Sequence, residues 1–198
     1  MFHRPLVVLA ALLAALLVVP AALAAAVHIR VEGKTQTIFG AAEPLASGTN
    51  ALEALESASL AGEFYYHVTQ SSFGPYVDQV GRYGAAGSSG WVFKVNGASP
   101  PVGADKVELK DGDRVLWYYA TFSADGVGPA TLDLRAAGKG CYTVVKQDDK
   151  AAATPAVGAV LRVDGRSVKT NAGKACPGPH KGLVRATLAG AIRSNALK

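Results

Sequence analysis

Gly90-Trp91-Val92-Phe93-Lys94-Val95-Asn96-Gly97 and, after a spacer, Asp111-Gly112-Asp113-Arg114-Val115-Leu116-Trp117-Tyr118-Tyr119 carry both tryptophans of the chain. Each apolar run is short, rich in aromatic and β-branched residues, and closed by a turn signal, which is how strands read. Asn96-Gly97 suits a turn that needs positive φ, and Asp111-Gly112 makes a second such corner. Alternation along a strand puts Trp91, Phe93 and Val95 on one face and Lys94 on the other. By the same rule Tyr118 cannot share a face with Trp117 and Tyr119. Two strands of this kind predict the centre of a sheet.

The rest of the chain is read outward from that pair. Upstream, Val27-His28-Ile29-Arg30-Val31 alternates as a half-buried strand, and residues 35–39 return from it. Residues 40–48 read as loop. Thr49 or Asn50 can cap a helix whose apolar stripe is Ala51, Leu52, Leu55 and Ala58, with Glu53 in its first turn and Gly62 at its end. Residues 64–69 read as a strand, residues 76–80 as extended or as one helical turn, and residues 81–89 as a Gly-rich loop. One helix on a mixed sheet is an α+β pattern of the β-grasp kind.

Beyond Phe122 the composition changes. All phenylalanines and tryptophans, and all tyrosines but Tyr142, precede residue 123, whereas Cys141 and Cys176 both follow it. Residues 124–130 form a linker rich in Gly and Pro. Short strands are expected over 141–146 and 159–163, with an Asp164-Gly165 hairpin turn, a return over 167–170, and an alternating segment over 183–188 in which Val184, Ala186 and Leu188 face inward. This predicts a small all-β, Ig-like sandwich over 131–198. The expected division is therefore a leader over 1–26, an α+β domain over 27–123, a linker over 124–130 and the β-domain over 131–198.

The N-terminus has the order of a secretory signal: Arg4, an apolar run from Leu6 to Val19, Pro20, and small residues to Ala26. The run is shorter than the roughly 20 residues of a spanning helix. Cleavage after Ala24 or after Ala26 satisfies A-x-A, and the reading favours Ala26. The product is expected to be secreted, monomeric and free of a membrane span. In an oxidising compartment a lone pair of cysteines predicts a Cys141–Cys176 disulfide. Closing a loop of about 35 residues is worth roughly 3–4 kcal/mol in the chain-entropy picture.

The net charge of +5 is spread along the chain without aromatic interleaving, which argues against nucleic acid as a partner and reads as solvated surface. No catalytic set is legible: His28, His67 and His180 stand apart, and no G-x-S-x-G elbow is present. No metal-ligand spacing is present either, and Asp111-Gly112-Asp113 lacks the later acids of a Ca²⁺ loop. What remains is a surplus of rings. Tyr66, Phe73, Tyr76, Tyr83 and Tyr118 are the candidate ligand contacts, while Trp91, Phe93 and Trp117 are assigned to the core. The expectation is a non-enzymatic binding module, with a small molecule or an envelope protein as partner and no bound cofactor. A structural or adhesive envelope protein is the alternative, and a hydrolase with an illegible site the third reading.

Thr49-Asn50-Ala51-Leu52-Glu53-Ala54-Leu55, Tyr76-Val77-x-x-Val80, Gly90 to Gly97 and Leu109 to Tyr119 occur in one order that resembles the transcobalamin-like C-terminal domain, a bacterial domain of unknown function. The resemblance covers roughly residues 27–121. It implies the α+β fold and makes cobalamin a ligand by resemblance alone. In the cobalamin carriers a separate helical domain covers the other side of the corrinoid, and residues 27–198 contain no counterpart of it. The second part resembles, more weakly, Ig-like and carboxypeptidase regulatory-like modules through Val160 to Gly173.

Overall fold

The computed structural model describes residues 23–72 and 74–198. Most of the leader reading, and Phe73, lie outside the described residues. The first half contains β1 (Ala25–Glu32), β2 (Thr37–Phe39), β3 (Leu45–Gly48), α1 (Ala51–Gly62), β4 (Tyr66–Ser71), β5 (Gly74–Val80), β6 (Tyr83–Gly84), β7 (Ser89–Val95) and β8 (Arg114–Thr121). The quoted stretch forms the two strands β7 and β8, which pair antiparallel from Ser89↔Thr121 to Val95↔Val115. β8 runs parallel to β1, so the sheet β2-β1-β8-β7 is mixed. β3 adds to β1 antiparallel, where the sequence reads as loop. Residues 76–80 belong to strand β5, which forms a separate three-stranded sheet with β4 and β6.

α1 lies on one face of the central sheet. Its start is fixed by Asn50, whose side chain accepts from the N–H groups of Leu52 and Glu53 at 3.1 and 2.9 Å. The Glu53 carboxylate reaches back to the Thr49 N–H at 2.8 Å, closing a reciprocal cap. Ala51, Ala54, Leu55 and Ala58 are buried against Val27, Ile29, Val31, Trp91 and Trp117 of the sheet. The expected alternation holds here, with Phe93, Val95 and Tyr119 packed against the same cluster.

The second half contains β9 (Ala130–Ala136), β10 (Tyr142–Gln147), β11 (Ala153–Pro155), β12 (Val160–Val163), β13 (Arg166–Lys169), β14 (Lys174–Ala175), β15 (Val184–Thr187), β16 (Ala191–Ile192) and β17 (Ala196–Leu197). They form one sheet in the order β11-β10-β9-β16, with β14 also on β10, and another in the order β13-β12-β15-β17. Leu132, Leu134 and Val144 of the first meet Leu161, Val163, Val184 and Ala186 of the second in one core. Asp164 and Gly165 both take positive φ, 47° and 73°, as a two-residue hairpin requires. The Cys141–Cys176 disulfide ties the start of β10 to the residue after β14. The chain is therefore mostly β with a single helix among the described residues.

The face of the central sheet turned away from α1 is covered by the second half. Leu116, Tyr118 and Ala120 form a third apolar cluster with Val92, Phe122 and Ile192. Charged residues sit beside it and are buried with it. Lys94 is 1 % exposed, and its Nζ donates to the Asp148 carbonyl at 2.7 Å with the Asp149 carboxylate at 3.5 Å. Burial holds the Lys94 pKa below the usual lysine range, against the pull of Asp149. Glu32 is 0 % exposed and meets Arg30 at 3.3 Å, Arg193 at 2.9 Å, and Arg185. Glu43 then joins Arg30 to Arg114 at 3.2 and 2.8 Å, and Arg114 reaches Asp133 at 3.0 Å. These bases read as solvated surface in the sequence; apart from Glu32 beside Arg30 on β1, their acidic partners lie at a distance along the chain, several across the two halves, and the buried interface brings them together.

Removing one member of a buried ion network strands the others. Glu32→Ala leaves Arg185 and Arg193 without a carboxylate and Arg30 with Glu43 alone, and should lower stability by about 3–5 kcal/mol. Urea unfolding of the variant measures this, and an unchanged midpoint would show that the network contributes no net stabilisation.

Candidate functional site

β7 is an edge of the central sheet, and β5 of the smaller sheet packs beside it without pairing. Between them opens a cleft of about 350 Å³. Pro75, Tyr76 and Val77 supply one wall and Trp91, Val92 and Phe93 the other, with Trp117 and Tyr118 behind. The segment from Ser99 to Ala104, Phe122 and Asp149 complete the rim.

The rings in this cleft are fixed from behind. Trp91 Nε1 donates to the Tyr83 carbonyl at 2.7 Å, and Trp117 Nε1 donates to the Ala51 carbonyl at 3.1 Å. Phe93 stacks on Trp117 with centroids 5.0 Å apart, and Trp91 meets Tyr119 edge-on at 5.7 Å. The Tyr76 hydroxyl is close to the β7 backbone: a Cβ on Gly90 would lie 2.5 Å from it, so glycine is needed there for that approach. Burial raises the Tyr76 pKa, and the hydrogen bond with the Trp91 backbone works against that rise. Burial, with Asp149 second, also raises that of Tyr118. Both phenols thus remain neutral at physiological pH and can act as donors.

Of the rings singled out in the sequence, Tyr76 and Tyr118 line this cleft. Tyr118 does point away from α1, as alternation requires, but it is 2 % exposed because the second half covers it. Tyr66 is elsewhere: its hydroxyl is bonded to Glu56 of α1, and burial together with that carboxylate pushes its pKa up to about 12. Tyr83 bonds Thr35 at 2.8 Å and Arg82 at 3.0 Å and leans on Tyr119, outside the cleft. Phe73 is outside the described residues. Trp91, Phe93 and Trp117, assigned to the core, are both core and cleft wall. Phe122 and the Ser99-Pro100 segment have no sequence signal beyond their nearness to the two central strands.

The histidines stand on separate elements: His28 bonds the Glu43 carbonyl, His67 the Asp78 carboxylate, and His180 the Tyr142 hydroxyl. Among the described residues no three His, Cys, Asp or Glu side chains gather as a metal site would require. A smaller hollow of about 190 Å³ between the halves is lined by Arg30, Glu43, Arg114 and Asp133, whose charges are already paired with one another.

A family model described as a domain of unknown function, DUF4430, matches residues 48–121. That span runs from the end of β3 to the end of β8 and includes both walls of the cleft. Among solved structures the chain is similar to a protein from Ruminococcus gnavus ATCC 29149 named as a candidate metal binding protein. The identity is 18%, the TM-score is 0.40, and the alignment covers 50% of this chain and 99% of that one. No curated protein matches.

Trp91 tests the double role of core and wall. It is 2 % exposed and hydrogen-bonded, so Trp91→Ala should open a cavity at a typical cost of about 3–5 kcal/mol. Thermal unfolding would show it, and a variant as stable as the parent would place the ring outside the core.

Proposed function

We propose that the chain is an exported, non-enzymatic binding module whose small-molecule ligand seats in the cleft beside β7. The observation that carries this reading is a set of aromatic walls held rigid by their own hydrogen bonds around an apolar space. Preorganised rings cost little entropy to use, which is what a binding wall needs. The volume is at the lower end of the range for small-ligand sites, about 300–1,000 Å³.

The finer fold reading is a β-grasp-like half followed by an Ig-like half, and the DUF4430 match covers most of the stretch that resembles the transcobalamin-like domain. The cleft of about 350 Å³ would take only part of a corrinoid, and none of the three histidines among the described residues lines it. The proposed ligand is therefore a smaller molecule.

Export is supported by the leader pattern and by the disulfide, which persists in oxidising compartments. Among the described residues no helix is long and apolar enough to cross a membrane. The strand also bears on the cleavage point. β1 begins at Ala25, which pairs with Gly48. The Ala26 N–H donates to Asp111 at 2.8 Å and the Ala26 carbonyl accepts from Gly112 at 2.8 Å. Cleavage after Ala26 would remove this end of β1, whereas cleavage after Ala24 keeps it. N-terminal sequencing of the exported protein should begin at Ala25, and a start at Val27 would contradict the structural argument.

Native mass spectrometry of the protein isolated from its own host tests the function. A retained small molecule is expected. Its retention should fall at least about tenfold in Tyr76→Ala, a loss of some 1.4 kcal/mol, and stay unchanged in Tyr83→Phe. A parent protein that carries a co-purifying protein and no small molecule would sink the reading.

A further inference from the structure

Edge strands expose a row of N–H and C=O groups, and proteins usually cover them. Along β7 the backbone groups point alternately toward β8 and away from it. The Asn96 N–H reaches the Arg114 carbonyl, so the even-numbered residues face β8 and Ser89, Trp91, Phe93 and Val95 face outward. Two of these four, Ser89 and Val95, are capped on both groups from within the chain, and Trp91 on its N–H alone. Ser89 exchanges both bonds with Ala86 at 2.9 Å, Val95 exchanges both with Ala98 at 2.9 and 3.0 Å, and the Trp91 backbone meets the Tyr76 hydroxyl. Phe93 has no backbone or side-chain partner for its outward N–H and C=O among the described residues. It is also a residue of the cleft wall.

The open donor and acceptor of Phe93 flank one Cα and point the same way. Their complement is the N–H and C=O of one extended amino-acyl residue, the reciprocal pair of an antiparallel ladder. A single trans amide cannot supply it, because its two groups point in opposite directions. From this, and resting on the binding reading above, we infer that the ligand is an N-acylated amino-acid unit lying antiparallel to Phe93. Its N–H donates to the Phe93 carbonyl and its carbonyl accepts from the Phe93 N–H. The flanking sites are apolar, so its side chain is apolar or aromatic. It packs either on the Phe93–Trp117 pair or, across the sheet edge, on Tyr118 and Phe122. The same unit occurs in free acyl amino acids and within peptides.

The probe is N-acetyl-phenylalanine methylamide, compared with its depsi analogue, in which an ester oxygen replaces the acetamide N–H. Titrations are followed by the amide resonances of the isotope-labelled full chain. The amide should shift the Phe93 resonance and slow its hydrogen exchange, and the analogue should bind roughly fivefold more weakly for the loss of one hydrogen bond. An acetylated, amidated Val-Phe-Val peptide separates the sources: tighter binding than the single residue assigns a peptide, equal binding a free acyl amino acid. Equal affinity of the amide and its analogue, or shifts that spare Phe93, would overturn the inference. So would failure of all three probes to bind. In each of those cases a host-derived small molecule lost in Tyr76→Ala would still support the cleft as a binding site, and its absence would remove both readings.

Discussion

Glu32 and Lys94 are the points on which the arrangement of the two halves depends. Both project from the central sheet on the side opposite α1, both are wholly buried, and both find partners across the interface. A charge of this kind costs several kcal/mol to bury and is tolerated only where its partners are in place. An apolar interface alone could slide, since Leu116, Tyr118 and Ala120 offer little directional preference. The Lys94 bond to Asp148 and the arginines around Glu32 admit one register. The cluster is thus better read as fixing position than as adding net stability.

Covering the sheet on both faces has a consequence for its edges. β1 and β8 lie inside the sheet and spend their backbone groups on neighbours, while β7 has β8 on one side only. β5 comes near but does not pair, because it belongs to a hairpin of its own with β4. A partly open edge is left between two sheets, walled by rings from both faces of the strand. Tyr76 reaches across and closes part of it, an approach that only a residue without Cβ at position 90 permits. The cleft is the space that remains.

Much of this was legible locally. The Asn50 cap, the Trp91-Phe93-Val95 face, the opposed Lys94, the Asp164-Gly165 turn and the single cysteine pair each depend on residues close in sequence or on an elementary count. What covers the opposite face was not legible, because alternation shows that Lys94 and Tyr118 oppose Trp91 and Trp117 but not what lies over them. β9 was missed for the same reason. Leu132 and Leu134 alternate as in a half-buried strand, yet Thr131 and Asp133, which alternate with them, are buried as well, against Lys94 and Arg114. β3, with the sequence Leu-Ala-Ser-Gly, has little strand character and is held by its ladder with β1. Ring counting was similarly limited. Tyr66 and Tyr83 resemble Tyr76 in composition, but Glu56, Thr35 and Arg82 engage their hydroxyls elsewhere.

The span that matches the family model supplies β5, β7, β8 and the Ser99–Ala104 segment, so the aromatic walls belong to that unit. Yet the cleft is not complete within it. Phe122 and Asp149 lie beyond residue 121. Asp149 accepts from the Ser99 N–H through its carbonyl at 2.8 Å and from the Ser99 hydroxyl through its carboxylate at 3.0 Å. The second half therefore holds one rim of the cleft in place and, through its cover over Tyr118, fixes one of its rings. Ser99 and Lys94 both contact the Asp148–Asp149 turn, so the strand that offers the open edge and the segment that bounds it are tied to the same two residues. Displacing the second half would loosen the rim and expose Tyr118 together. The interface that buries the charges is for that reason also part of the binding site.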